Sequence, residues 1–271
     1  MIISPKPLQI IGILNITPDS FSDGHRYLDA QAAIEKGLGL IAEGADMVDI
    51  GAESSNPDGS RVSAEEEIGR LAPVIKALKK EGIRISIDTY KPEVMHHVIS
   101  LGVDMINDIT GLRDPAAVEA VRKANIPVVI MFARNPNPHA ERSRRDHQTV
   151  LTEITDFFRQ RLKVLHEAGI SDDRIIIDPG MGLFLGGNPE PSLMVLRHIE
   201  LLKKFERPIY LSTSRKSFIG RVLDRPVHER GIGTLATEIW GYLHGVSYIR
   251  THEPHLLRDA IRMIQAIEQV E

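Results

Sequence analysis

Residues able to do chemistry recur at the ends of short β-branched runs: Asn15, Glu53, Asp88, Asn107, Asp108, Asp178, Arg215, Lys216, Arg250 and His252. Asp88 and Asp178 close the runs RISID and RIIID, and Asn107 with Asp108 closes a third. A carboxylate shielded from water can accept paired N–H donors from an amino-heterocycle or stabilise a developing cation. The same residue types also cap helices and favour turns, so any one of them could be structural. Three together favour a site. Ser212-Thr213-Ser214-Arg215-Lys216-Ser217 combines hydroxyls with two adjacent cations, which suits a phosphate or, more plainly, a solvated basic turn. Arg250 and His252, one residue apart on an extended run, point to one side, where they would suit a pyrophosphate. Asn15, followed by Thr17-Pro18-Asp19-Ser20, offers an oxygen to a hard cation such as Mg²⁺ that shares a phosphate. There is no HExxH pair and no P-loop, which argues against zinc hydrolysis and nucleotide hydrolysis. Paired carboxylates alone are compatible with a retaining glycosidase, but cations opposite them fit a bound heterocycle and a departing phosphate better.

The elements that must position these residues alternate along the chain. Eight runs read as strands: QIIGILNI, DMVDIG, RISIDT, DMIND, PVVIMF, RIIIDP, PIYLSTS and SYIRT. Their nearly continuous apolar character is that of strands buried on both faces of a parallel sheet. Helical spacing fills Ala30–Glu43, Ala64–Lys80, Pro92–Leu101, Val150–Ala168 and Leu256–Ile267, and Gly44, Gly82 and Gly169 sit where a left-handed residue would end a helix. Eight βα units in this length predict an α/β fold, a (β/α)₈ TIM barrel forming a single domain over 1–271. No GxGxxG follows the first strand, as a doubly wound dinucleotide fold would usually show. In a barrel, function belongs at the C-terminal strand ends, where the polar residues cluster. Ala133–His147, rich in Asn, Pro, Arg and His, reads as a long mobile loop after the fifth strand.

Composition narrows the partners. Of 271 residues 42% are hydrophobic and 26% charged, enough apolar material for a sizeable core and too much for wholesale disorder. Lys and Arg number 33 against 37 Asp and Glu, and a net charge of −4 gives no electrostatic reason to expect nucleic acid or a membrane surface. Without cysteine there are no disulfides, thiolate metal sites or Cys nucleophile. No window has the apolar length of a spanning helix and the N-terminus lacks a cleavage-site pattern, so a cytoplasmic enzyme or binding protein is expected.

Taken together, Ile13-Leu14-Asn15-Ile16-Thr17-Pro18-Asp19-Ser20-Phe21-Ser22-Asp23-Gly24, Asp88-Thr89-Tyr90-Lys91, Ile106-Asn107-Asp108, Asp178-Pro179-Gly180, Ser214-Arg215-Lys216-Ser217 and Arg250-Thr251-His252 resemble the dihydropteroate synthases, in order and over essentially the full chain. That family is a (β/α)₈ barrel joining 6-hydroxymethyl-7,8-dihydropterin diphosphate to p-aminobenzoate with release of pyrophosphate. The resemblance implies that Asp88, Asn107, Met131, Asp178, Gly182 and Lys216 bind the pterin, with Asp88 and Lys216 catalytic. It implies that Asn15, Ser55, Arg250 and His252 bind the diphosphate, with Mg²⁺ at Asn15. Around p-aminobenzoate it implies Ser54, Ser55, Pro57, Leu183, Phe184, Leu185, Gly186 and Ser217. A homodimer is implied by the family alone.

Departures from the family pattern are informative. The usual Gly-Glu-Ser-Thr-Arg-Pro is Ala52-Glu53-Ser54-Ser55-Asn56-Pro57, so Asn56 replaces a pyrophosphate-facing Arg, and Phe132 replaces a His after the fifth strand. Asp178-Pro179-Gly180-Met181-Gly182-Leu183-Phe184-Leu185-Gly186-Gly187-Asn188 is longer than the usual turn. With Ser55–Asp58, Asn188–Glu190 and Arg250–Pro254, this looks like the mobile sulfonamide-resistance synthases, in which a lengthened loop rejects a drug that is bulkier than the substrate. An ordinary sulfonamide-sensitive synthase, in which Phe184 merely packs, is the plainer alternative. A corrinoid-dependent methyltransferase would share the pterin-holding Asp and Asn but would not need Asn15, Lys216, Arg250 and His252. A pterin binder without turnover would fit Asn56 and Phe132.

Overall fold

Side-chain alternation along the strands decides what enters the site, and the strands are short enough to follow residue by residue. The computed structural model describes residues 8–16, 26–55, 59, 61–135 and 140–270. Its strands are β1 (Gln9–Asn15), β2 (Met47–Gly51), β3 (Ile85–Asp88), β4 (Met105–Asp108), β5 (Val128–Met131), β6 (Ile175–Asp178), β7 (Tyr210–Leu211) and β8 (Tyr248–Thr251). All pairings are parallel, in the order β6-β5-β4-β3-β2-β1-β8-β7. A parallel bridge between Ile177 and Ile209 joins the two ends. The sheet therefore closes on itself, as the eight βα units required.

Nine α-helices lie among the described residues: α1 (Arg26–Ala42), α2 (Ala64–Lys80), α3 (Pro92–Ser100), α4 (Pro115–Ala124), α5 (Val150–Glu167), α6 (Glu190–Arg197), α7 (Ser217–Leu223), α8 (Gly231–Leu243) and α9 (Pro254–Glu268). Helix α2 shows why its span was legible. Ser63 Oγ accepts from Glu66 N at 3.1 Å, Glu65 to Glu67 occupy the first turn and Lys79 and Lys80 the last, complementing the helix dipole at both ends. The spacing did not single out α4, α6, α7 or α8. Helices α6 and α7 are only eight and seven residues long, too short for a periodic signal, and α8 carries three glycines, which weaken helix propensity. Two helices, α7 and α8, thus separate β7 from β8.

The apolar side chains divide into two layers. One, including Leu14, Val48, Ile50, Ile87, Ile106, Ile130, Ile177 and Ile249, packs outward against α-helical residues such as Leu40, Leu71, Leu78, Val94 and Phe158. The other, Ile11, Met47, Met105, Val129, Ile176 and Tyr210, forms a separate cluster. These are the alternate residues of their strands, so they fill the barrel interior. Continuing the same alternation towards the C-terminal ends turns Asp49, Asp88, Asn107, Met131, Asp178 and Arg250 inward above that apolar floor.

Candidate active site

Register brings the polar strand ends together before any side-chain contact is considered. Asn15 pairs with Gly51, Gly51 with Asp88, and Asp88 with Asn107, while Met131 pairs with Asp178. Across this rim, Arg250 Nε donates to Asp49 Oδ2 at 2.6 Å and its Nη2 donates to Asp88 Oδ2 at 3.1 Å. Asn107 Nδ2 donates to the same Asp49 oxygen at 3.2 Å. These bonds join β8 to β3 and β4 to β2, strands that are not neighbours, so they cross the interior. Asp49 was missed in the sequence, although a fully buried carboxylate inside the apolar run DMVDIG was its signal.

The electrostatics of this cluster follow from burial. Asp88 is pushed up to about 7, chiefly by loss of solvent, with Arg250 opposing and Asp49 and Glu67 reinforcing. Asp178 rises to about 6 for the same first reason, opposed by Lys216 and by the Gly180 N–H. Lys216 falls to about 8 because burial disfavours its charge, though Asp178 and Asp88 support it. Arg250 is driven upward by Asp49 and Asp88 in spite of burial, and stays a cation. One guanidinium thus serves two carboxylates. Five N–H donors less the two used leaves three for another anion.

Asp178 is held by its own turn: Oδ1 accepts from Gly180 N at 2.7 Å. Gly180 has φ of +69°, and a Cβ there would stand 2.2 Å from Phe132 O, so Asp-Pro-Gly admits only glycine at its third place. Lys216 caps α7, and its Nζ donates to Met181 O at 3.3 Å and lies 5.3 Å from the centre of the Phe184 ring. Phe184 is partly exposed rather than a core residue. By contrast Asp108, equally placed in sequence, is structural. It accepts from Thr110 N, Thr110 Oγ1 and Leu112 N at 2.7, 2.7 and 3.0 Å.

Ser214 Oγ accepts from His252 N at 3.2 Å and lies 2.8 Å from His252 Nδ1. With its oxygen accepting from His252 N, the Ser214 hydroxyl can donate to Nδ1, in the tautomer whose Nε2–H is a donor. Burial and the nearby Arg250 and Arg215 cations lower His252 to about 3. His252, which the sequence pairs with Arg250 for a pyrophosphate, is therefore a neutral imidazole. Arg215, in the left-handed region at φ of +57°, faces Glu253 at 3.5 Å.

A small cleft is lined by Asp88 together with Glu53, Ser54, Ser55, Glu67, Thr89, Tyr90 and Ile109. Behind it, Lys91 forms ion pairs with both Glu53 and Glu67, and Tyr90 OH donates to Glu53 at 3.0 Å. Ser55 O accepts from Ala140 N at 3.1 Å. The expected mobile loop is thus tied down in its described part, and further bonds link Ser143 and Arg145 to the loop after β6.

Other expectations are revised by position. Leu185 is fully buried in the core, and Gly186 is buried beside the Arg145 side chain, so neither side of that turn faces the cleft. Phe132 is buried against Phe157, with ring centres 5.4 Å apart. Ser217 is half-buried in the first turn of α7 and Leu183 lies in the 3₁₀ turn Gly182–Phe184. Asn56 and Pro57, like Thr17 to Gly24, lie outside the described residues.

Asn15 is exposed at the rim beside Gly51. A Cβ on Gly51 would be 3.8 Å from Asn15 Oδ1 and 3.5 Å from Asp88 Cβ. Among the described residues, no three His, Cys, Asp or Glu gather as a metal site. No helix among them is long and apolar enough to cross a membrane.

Comparison with known proteins adds three findings. The family of pterin binding enzymes matches residues 11–252. The chain is 45% identical over 260 residues to a dihydropteroate synthase type-3 from Escherichia coli, covering 96% of this chain and 99% of that protein. It also superimposes on two solved structures. One is a dihydropteroate synthase from Clostridium difficile, solved in the presence of pteroic acid, with a TM-score of 0.88, 38% identity and full coverage of both chains. The other, from Xanthomonas albilineans with 4-aminobenzoic acid, gives a TM-score of 0.89 and 36% identity, covering 98% of this chain and 95% of that one.

Proposed function

The chain belongs to the dihydropteroate synthases, and from that premise we propose that Asp88, Asn107, Asp178, Lys216 and Arg250 bind the pterin diphosphate and drive off its pyrophosphate, with residues 1–271 acting as one pterin-binding domain. The observation that carries this reading is the Asp88–Arg250–Asp49 bridge beside Asp178 and Lys216.

Each pterin contact matches an atom left over by the fold. Asp178 Oδ2 can accept the amino-pyrimidine N–H groups while Oδ1 stays with Gly180. The amide oxygen of Asn107 can accept a further N–H while its nitrogen holds Asp49. Lys216 retains two N–H donors for the ring carbonyl or adjacent nitrogen. Met131, at the end of β5, and Gly182, opening the 3₁₀ turn after β6, border this pocket.

Reaction begins when the bond between the pterin methylene carbon and the diphosphate oxygen breaks, its electron pair leaving with pyrophosphate. The resulting cation is delocalised into the dihydropterin, beside ionised Asp88. A fixed carboxylate in a water-poor site lowers the energy of that charge without reorganising. The p-aminobenzoate amine then forms the new C–N bond and releases a proton to solvent. No strong base is required.

Diphosphate is received by the spare N–H groups of Arg250, the Nε2–H of His252, Asn15 and Ser55. The side chain of Asn15 makes no hydrogen bond to a described residue, which suits an amide oxygen kept for a hard cation. Mg²⁺ held between Asn15 and the diphosphate would supply charge neutralisation on the leaving group.

We read the p-aminobenzoate end as the cleft formed by Ser54 and Ser55, bounded by Ser217 and by the loop carrying Leu183 and Phe184. The partly exposed Phe184 ring, next to Lys216, supports a role in excluding sulfonamides, whose substituent extends beyond the position of the substrate's carboxylate. Two chains pair through α7, α8 and the turn between them, where Val222, Leu223, Val227 and Ile232 are exposed. The test is pyrophosphate release and dihydropteroate formation by the purified protein across a sulfonamide titration. Asp88→Ala should lose about 10²–10³ of turnover, the scale of one preorganised electrostatic group. A variant as active as wild type would remove Asp88 from the mechanism, and drug inhibition at ordinary concentrations would remove Phe184 from discrimination.

A further inference from the structure

Phe184 can discriminate only if its loop cannot yield, because a phenyl ring on a compliant turn would move aside for a tight-binding drug. Several contacts hold that turn from outside the substrate cleft. Arg134, just after β5, donates its backbone N–H to Phe184 O and its Nη1 to Leu185 O, both at 3.1 Å. The same guanidinium pairs with Glu153 of α5 through Nε at 2.7 Å and Nη2 at 2.9 Å. Its side chain is 8% exposed. On the far side of the turn, Gly187 N donates to Ser143 O at 2.7 Å. A Cβ on Gly187 would come within 2.0 Å of Arg142 O, so the two loops meet backbone to backbone. Asn188 completes the seam, accepting from Arg145 N at 2.8 Å and donating to Arg145 O at 3.1 Å.

We infer that Arg134 is a specificity-determining positioning residue, which fixes the Phe184 ring by tying the adjacent Leu185 carbonyl through its guanidinium to Glu153 of helix α5, while its backbone N–H holds the Phe184 carbonyl, without itself touching substrate or drug. The inference rests on the proposed role of Phe184 in excluding sulfonamides. Charge-assisted hydrogen bonds are the stronger kind, and here they anchor the Leu185 carbonyl, next to Phe184, to an α-helix of eighteen residues. The Gly187 contact with Arg142 locks the other end by shape. Together they hold the lengthened turn at both ends, with Phe184 between.

The experiment measures the inhibition constant of a heteroaryl sulfonamide, with KM for p-aminobenzoate and kcat, for wild type, Phe184→Ala, Arg134→Met and the double variant. Arg134→Met should lower the inhibition constant at least about tenfold, the factor that 1.4 kcal/mol represents, with a much smaller change in KM for p-aminobenzoate. In the Phe184→Ala background the Arg134 change should have no further effect, because the ring it positions is gone. If Phe184→Ala gains inhibition and Arg134→Met does not, the clamp is refuted while the role of Phe184 stands. If neither gains inhibition, the role of Phe184 fails and the clamp with it. Additive effects in the double variant also overturn the proposal, since they would mean that Arg134 acts elsewhere. Should Arg134→Met fail to fold, Glu153→Gln provides the same test by weakening the pair that holds the Arg134 guanidinium against α5, with the same expected gain of inhibition and the same refuting result.

Discussion

Asp88 accepts from Arg250 at 3.1 Å, but the same guanidinium is bound more closely, at 2.6 Å, to the fully buried Asp49. Asp88 therefore receives only part of the cation's stabilisation. Burial raises it most, the groups facing it are Arg250, Asp49, Glu67 and Lys216, and the balance leaves it near 7. The proposed mechanism uses the carboxylate, so kcat/KM should fall as pH drops through about 7, with Asp178 adding a second loss near 6. Asp49→Asn keeps the shape and an acceptor but deletes a charge that holds Asp88 up, and frees Arg250 to pair with Asp88 alone. The acid limb of the kcat/KM profile should move to lower pH in this variant. An unmoved limb would show that Asp49 only packs.

Why was so much of this site legible, yet not Asp49? The rim carboxylates stand where an apolar run ends, which marks them as exceptions to the strand. Asp49 sits within its run, two residues before Gly51, and only the closed barrel shows that alternation turns it inward to Arg250. The same holds for Asp108 and Asp178. Both end isoleucine-containing strands, and nothing local distinguishes the one that closes a turn with three hydrogen bonds from the one that keeps an oxygen free. Strands and long capped helices were readable because their signals are local. The seam between Gly187 and Arg142 joins residues 45 apart (187 less 142), a distance no local pattern spans.

Glu238 offers a stability measurement independent of catalysis. It is buried in α8, Oε1 has no partner among the described residues, and loss of solvent raises it to about 8, with only Thr251 opposing. Its unfolded value is near 4.5. Between these values the folded chain holds a proton that the unfolded chain has released, so folding is weakened progressively as pH rises from about 4.5 and the loss is complete above about 8. Glu238→Gln removes this penalty, which is on the order of a few kcal/mol. Thermal denaturation should show the variant more stable than wild type at pH 8.5 and indistinguishable from it at pH 4.5. Equal melting temperatures at both would contradict the buried, protonated carboxyl.

Ile232 is 86% exposed near the start of α8, with Val222, Leu223 and Val227 also exposed close by in sequence. Several large apolar side chains in this state are costly to leave in water and suit a self-complementary contact, in which each residue serves twice about a two-fold axis. Ile232→Asp should convert a dimer to monomer in analytical ultracentrifugation at micromolar concentration while retaining the wild-type circular dichroism spectrum. A variant that stays dimeric would move the interface away from α8.

From behind, Lys91 supports the Ser54–Ser55 cleft proposed for p-aminobenzoate. It lies between Glu53, at the base of the Ser54–Ser55 loop, and Glu67 of α2, whose side chain is 2% exposed. Both carboxylates raise its affinity for a proton in spite of burial. Replacing it by methionine would fill similar space but leave two neighbouring acids without their shared cation. Breaking a buried pair from one side costs about 3–5 kcal/mol, and the least buried element, the loop, should yield first. Lys91→Met is therefore expected to lower the melting temperature and to raise KM for p-aminobenzoate more than KM for the pterin substrate. Adding Glu67→Gln should recover part of the stability, because it removes the charge that has the least access to water. If the double variant is less stable than Lys91→Met alone, repulsion between Glu53 and Glu67 is not what the lysine suppresses.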